Sequence, residues 1–121
     1  MSFGDRVVLR GPDITLNATT AQGFALVLHE LTTNAVKHGA LGAPGGTVTI
    51  EWFQKTCSPD LLVFRWQETG GPAAVAPERT GFGTKLLEIA LATVESPRFD
   101  YSPKGFVYEV VVVLDSDVLR G

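Results

Sequence analysis

Two runs of alternating residues, TVTIEWFQ at 47–54 and LLVFRWQE at 61–68, flank the polar segment KTCSPD and constrain the fold more than any other feature of the chain. Successive side chains of a strand point to opposite faces, and Ser58-Pro59-Asp60 supplies turn chemistry between the runs, so they predict an antiparallel pair. On the second run Leu62, Phe64, Trp66 and Glu68 share one face. An apolar row therefore ends in a carboxylate.

Residues 21–38 carry a different period. Phe24, Leu28, Leu31 and Ala35 recur at spacings of four, three and four, which predicts a helix with those residues as its buried stripe. Thr19 or Thr20 is the expected cap, and Gly39 stands where a helix usually stops. The opening DRVVLRGPDITL reads as two extended pieces about Gly11-Pro12, forming a hairpin or an edge ribbon. GAPGG at 42–46 and TGGPAAVAPERTG at 69–81 lack a periodic apolar face and read as loops. FGTKLLEIALATV at 82–94 is helical in pattern, and SPRFDYS with GFVYEVVVVL makes a last pair of strands around Pro103-Lys104-Gly105. The expected order is strands, helix, two strands, helix, two strands.

A length of 121 residues suits one domain with one core. The formal net charge of −3 provides no electrostatic footprint for nucleic acid. The longest apolar run, VVVVL at 110–114, is far below the ~20 residues of a membrane-spanning helix, and the N-terminus lacks the apolar stretch of a secretory signal. With Cys57 as the single cysteine, no internal disulfide can form, and a cytoplasmic location is expected.

The chemistry concentrates in HELTTNAVKHGA at 29–40. At ~100° per residue, Glu30, Asn34 and Lys37 fall in one stripe beside the buried one, whereas His29 lies on the other side of the wheel and His38 near the buried edge. Histidines nine residues apart, with no second cysteine, do not make a helical zinc pair. A carboxylate, an amide oxygen and an ammonium suit magnesium and phosphate: Asn34 offers a hard oxygen, Lys37 a positive charge, and Glu30 a group to orient or deprotonate an attacking atom. The same stripe also suits a solvated helix face with i to i+4 pairing.

Two glycine segments extend the pattern. In ETGGP at 68–72, Glu68 is aimed at the interior, where a carboxylate needs a donor; a purine amino group would serve, and so would backbone amides. GFGT at 81–84 opens a helix with glycines, leaving backbone N–H groups available to an anion or simply making a turn. It lacks the Lys-Ser/Thr ending of a Walker loop, and Leu86 occupies the third glycine position of a dinucleotide fingerprint.

Together HELTTNAVKHGAL, WQE and GFGT resemble the catalytic ATP-binding domain of sensor histidine kinases, of the GHKL class with the Bergerat fold. The closer likeness is to the HWE subgroup, marked by a histidine in the first box, here His29, and by Trp-x-Glu, here Trp66 to Glu68. The resemblance spans nearly the whole chain. It implies an α/β two-layer sandwich: a mixed, mostly antiparallel sheet with helices on one face and nucleotide between helix and sheet. It also implies ATP and Mg2+ as cofactors, with Asn34 ligating the metal, Lys37 contacting phosphate and Glu30 assisting transfer. His38 joins the nucleotide site, Glu68 reads the adenine amino group and Gly70 follows in the pocket wall. Gly81, Phe82, Gly83 and Thr84 border the phosphates. The 71–80 loop resembles the lid that closes over ATP, with Arg79 a phosphate contact.

A histidine kinase phosphorylates a histidine on a separate two-helix dimerisation segment, which is not expected within residues 1–121, and His29 and His38 both lie inside the nucleotide motif. The expected activity is therefore transfer of the γ-phosphoryl to a histidine on a separate phosphoacceptor domain, and from there indirectly to a response regulator. A GHKL-type ATPase, a protein serine kinase and a nucleotide-free interaction module are the competing readings.

Overall fold

The computed structural model describes residues 4–77 and 81–114. After a single 3-10 turn at Gly4–Arg6, the elements are β1 (Val7–Arg10), α1 (Ala18–His38), β2 (Thr47–Lys55), β3 (Ser58–Thr69), α2 (Phe82–Ile89), β4 (Arg98–Ser102) and β5 (Gly105–Val113). A second 3-10 turn, Ala40–Gly42, follows α1 directly. The strands form one sheet in the order β1-β2-β3-β5-β4, with β1 parallel to β2 and every other pairing antiparallel.

Both helices pack on one face. Phe24, Val27, Leu31 and Ala35 of α1 join Leu87 and Leu91 over Leu62, Phe64 and Trp66 of β3 and Tyr108, Val110 and Val112 of β5. Val27 is fully buried whereas Leu28 is only partly so, which turns the stripe slightly from the expected one. The mixed sheet with helices on one side is the two-layer architecture expected from the sequence.

On the opposite face the register brings one residue from each strand into a row: Arg10, Glu51, Arg65, Glu109 and Arg98. The signs alternate across all five strands. Arg65 and Arg98 approach the Glu109 carboxylate to 3.5 and 3.6 Å, and Arg10 approaches Glu51 to 3.9 Å. Opposite charges on directly paired residues favour this register over a slipped one.

Four local expectations differ from the structure. Of the two forms expected for the opening segment, the hairpin is absent and an edge strand is present: β1 borders the sheet beside β2, and Trp52 donates its indole N–H to Pro12 O at 2.7 Å, drawing the chain after β1 across β2. The cap of α1 is Asn17, which accepts from Thr20 N at 2.8 Å, so the helix starts three residues early. The turn between β2 and β3 is Thr56-Cys57, because Lys55 already pairs with Ser58 after an irregularity at Gln54/Lys55. Finally, α2 stops at Ile89; Val94 N donates to Val111 O and Val113 N to Ala92 O, so the edge of β5 captures the backbone that would have continued the helix.

Candidate functional site

The sheet face carrying the apolar row ends at Glu68, and α1 ends directly above it. Glu68 is 5% exposed, the one buried charged side chain among the described residues. Two donors meet it: Ala40 N at 3.0 Å from Oε1 and the Trp66 indole Nε1 at 2.9 Å from Oε2. Trp66 and Glu68 share a strand face two residues apart, so the Trp-x-Glu spacing itself delivers the indole to the carboxylate. A carboxylate can accept about four hydrogen bonds, so these two leave acceptor capacity free.

Gly39 has a specific task here. Its φ of −127° is ordinary extended backbone, so it is not required for a left-handed stop. Instead, a Cβ at this position would collide with Glu68 Oε1. The residue that ends the helix also leaves room for the carboxylate.

From Glu68 a cleft of about 620 Å3 runs to the N-terminus of α2. One wall is the rim of α1, where Glu30, Asn34 and His38 follow one another at four-residue intervals. This row drifts around the helix toward the buried stripe as it approaches Gly39. Lys37 lies on the other side of that drift; it is exposed and outside the cleft lining. His29 is likewise exposed and outside it.

At the far end, α2 begins at Gly81 without any side-chain cap, and Gly81, Gly83 and Thr84 line the cleft. First-turn amides of a helix have no intrahelical acceptor, so they present donors and a partial positive charge. Glu30 reaches across to this turn: a Cβ on Gly83 would strike its carboxylate. Phe82 is 80% exposed and turned out of the cleft, and Gly71 rather than Gly70 lines it. Arg79, like the rest of 78–80, lies outside the described residues.

The third wall was not among the residues singled out in the sequence. Phe99 and Tyr101 of β4 and Phe106 of β5 face the cleft, with Tyr101 and Phe106 ring centroids 5.0 Å apart. Their spacing carried a signal, since Phe99 and Tyr101 are two residues apart on one strand face. Burial raises the Tyr101 phenol above its ordinary range. Ala74 N donates to Ser102 O at 2.9 Å, which fastens the middle of the 71–77 segment to the end of β4. Deeper in, the Tyr108 hydroxyl donates to Leu87 O at 2.8 Å and ties α2 to β5.

Among the described residues no three His, Cys, Asp or Glu side chains stand close enough to hold a metal by themselves. The Glu30 carboxylate and the Asn34 amide lie one turn apart at the cleft. These are hard oxygen donors of the kind magnesium takes when phosphate oxygens and water complete its shell. No helix among the described residues is long and apolar enough to cross a membrane.

No family model matches the chain. A blue-light-activated histidine kinase of Brucella anthropi is 36% identical over 120 residues, covering 97% of this chain and 24% of the relative. Its namesake in Brucella ovis is 30% identical over 123 residues, covering 99% of this chain and 25% of the relative. The chain thus spans about a quarter of the length of these relatives. In fold it is similar to the histidine kinase domain of a blue-light-activated histidine kinase from Erythrobacter litoralis, with a TM-score of 0.73 at 15% identity over 91% of this chain and 55% of that one. It is also similar to the Acinetobacter baumannii histidine kinase AdeS, with a TM-score of 0.65 at 14% identity over 93% of this chain and 59% of that one. In sequence the chain is thus similar to a segment of blue-light-activated histidine kinases, and its fold is that of histidine kinase domains, in line with the HWE-type resemblance of its motifs.

Proposed function

We propose that the cleft binds Mg-ATP and that the domain transfers the γ-phosphoryl group to a histidine on a separate phosphoacceptor domain, within two-component signalling. The observation that carries this reading is the polarity of the cleft: an acceptor carboxylate, Glu68, at one end and the uncapped amides of α2 at the other. An adenine offers an amino donor to the first, and a triphosphate offers anionic oxygens to the second. Phe99, Tyr101 and Phe106 supply an apolar wall for the base between them.

Asn34 would hold the metal through its amide oxygen, and a bound Mg2+ would neutralise charge on the phosphate oxygens. Glu30, beside the first turn of α2, would orient the attacking imidazole or hold its proton. Lys37, exposed and outside the cleft lining, would contribute only a long-range positive charge. Most of the rate enhancement in such a site comes from positioning and charge stabilisation.

The test is a calorimetric titration with a non-hydrolysable ATP analogue, with and without Mg2+, on the wild type and on Asn34→Ala. Magnesium-dependent binding that disappears in the variant is expected; binding that survives removes Asn34 from the site. Labelled ATP with added acceptor domains then separates outcomes. Phosphate on histidine supports the kinase reading, whereas phosphate on serine or only in solution favours a serine kinase or an ATPase.

A further inference from the structure

Arg6 lies far from the nucleotide motifs in sequence, yet its side chain grips the segment that shapes the base end of the cleft. Its Nε donates to Gly46 O at 2.8 Å, and one terminal nitrogen donates to Ala40 O at 2.8 Å and to Ala43 O. A planar guanidinium can span three carbonyls in this way, whereas a lysine ammonium is a compact point donor. The gathered segment, 40–46, begins with the residue whose N–H meets Glu68.

Ala40 is therefore held on both sides of its Cα. Its carbonyl accepts from Arg6, and its amide donates to Glu68 Oε1. The surrounding backbone leaves it no slack: a Cβ on Gly46 would collide with Ala40 O, and one on Gly71 would press into Ala40 Cα. A shift of the 40–46 segment must then move the Ala40 amide and loosen one of the two donors that aim Glu68.

We infer that Arg6 is a positioning residue for base recognition: through Ala40 it holds the Glu68 carboxylate at the angle that accepts a purine 6-amino group. This rests on the nucleotide reading above and adds to it a determinant of selectivity. Arg6 touches no nucleotide; its influence is confined to the base end, leaving the phosphate end at α2 unaffected.

The experiment compares two ligands, a non-hydrolysable ATP analogue and the matching purine-riboside analogue that lacks the 6-amino group, on the wild type and on Arg6→Lys with Mg2+ present. Wild type is expected to prefer the amino-bearing ligand by about tenfold, the scale of one hydrogen bond to a charged group. In Arg6→Lys that ratio falls toward one while affinity for the deamino ligand is unchanged. A ratio that stays at the wild-type value, or equal weakening of both ligands together with a lowered melting temperature, overturns the inference and leaves Arg6 a loop anchor. Absence of binding of either ligand to the wild type instead overturns the nucleotide reading itself. Should Arg6→Lys fail to fold, amide exchange in the wild type decides: the amino-bearing ligand must protect the Ala40 N–H more than the deamino ligand does, and equal protection overturns the inference.

Discussion

The indole N–H of Trp66 points along its own strand face to the carboxylate of Glu68, 2.9 Å from Oε2, in a site where both residues are buried. Because the indole is a donor only, the bond favours the carboxylate as acceptor and fixes one of its two oxygens. Trp66→Phe keeps an aromatic ring in the core and removes that donor. Hydrogen bonds to charged groups are worth about 1.5–3 kcal/mol, so a loss of roughly tenfold or more in adenine nucleotide affinity is expected. Calorimetric titration checks it; inorganic triphosphate, which does not use Glu68, should bind both proteins equally.

Two glycines flank Glu68 and predict opposite failures. In Gly39→Ala the new methyl meets the Glu68 carboxylate, the far end of a side chain that can turn aside. Nucleotide binding should fall sharply, and the melting temperature should drop moderately because the buried Ala40 and Trp66 donors lose their acceptor. In Gly105→Ala the new methyl meets the Glu68 carbonyl, which cannot yield, at a φ of +136° that side chains rarely adopt. A destabilisation of at least about 1–3 kcal/mol is expected in denaturant unfolding.

Asn34 and Lys37 are three residues apart on α1, but only Asn34 lines the cleft. Asn34→Ala should abolish the magnesium dependence of binding. Lys37→Ala should weaken binding by only about threefold or less, and that effect should fade as salt rises, because an exposed charge acts through a screened field. Titrations at low and high salt distinguish the two.

Burial raises the Tyr108 phenol well above its ordinary value of 10.0, and raises Tyr101 as well. The unfolded chain then loses these protons at a lower pH than the folded one. The stability associated with the neutral phenols is fully present below pH 10 and declines as pH rises beyond it. Thermal melts between neutral and strongly alkaline pH should show that decline. Tyr108→Phe should flatten it while costing about 1 kcal/mol at neutral pH through the lost bond to Leu87 O.

Local periodicity was sufficient for much of the architecture. The alternation on β3 already aligned Leu62, Phe64, Trp66 and Glu68, and the 3.6-residue stripe already marked α1, because each pattern is a property of a single element. The same wheel grouped Lys37 with Glu30 and Asn34, since it contains no information about where the neighbouring wall lies. That wall follows the i+4 row toward Gly39, so His38 lines the cleft and Lys37 does not.

What only the tertiary structure decided are relations between segments distant in sequence. The sequence by itself determined that a carboxylate would end a buried apolar row, that a polar helix face would carry Glu30 and Asn34, and that glycines would open α2. It held no record that Ala40 and Trp66 would be the donors to Glu68, that Phe99, Tyr101 and Phe106 would close the third wall, or that Arg6 would hold the 40–46 segment. The α2 truncation has the same origin, because backbone pairing along β5 outweighed a helical pattern. Propensity and period act within about a turn or a few strand residues, whereas hydrogen bonds across the fold are decided by which surfaces the packed core brings together.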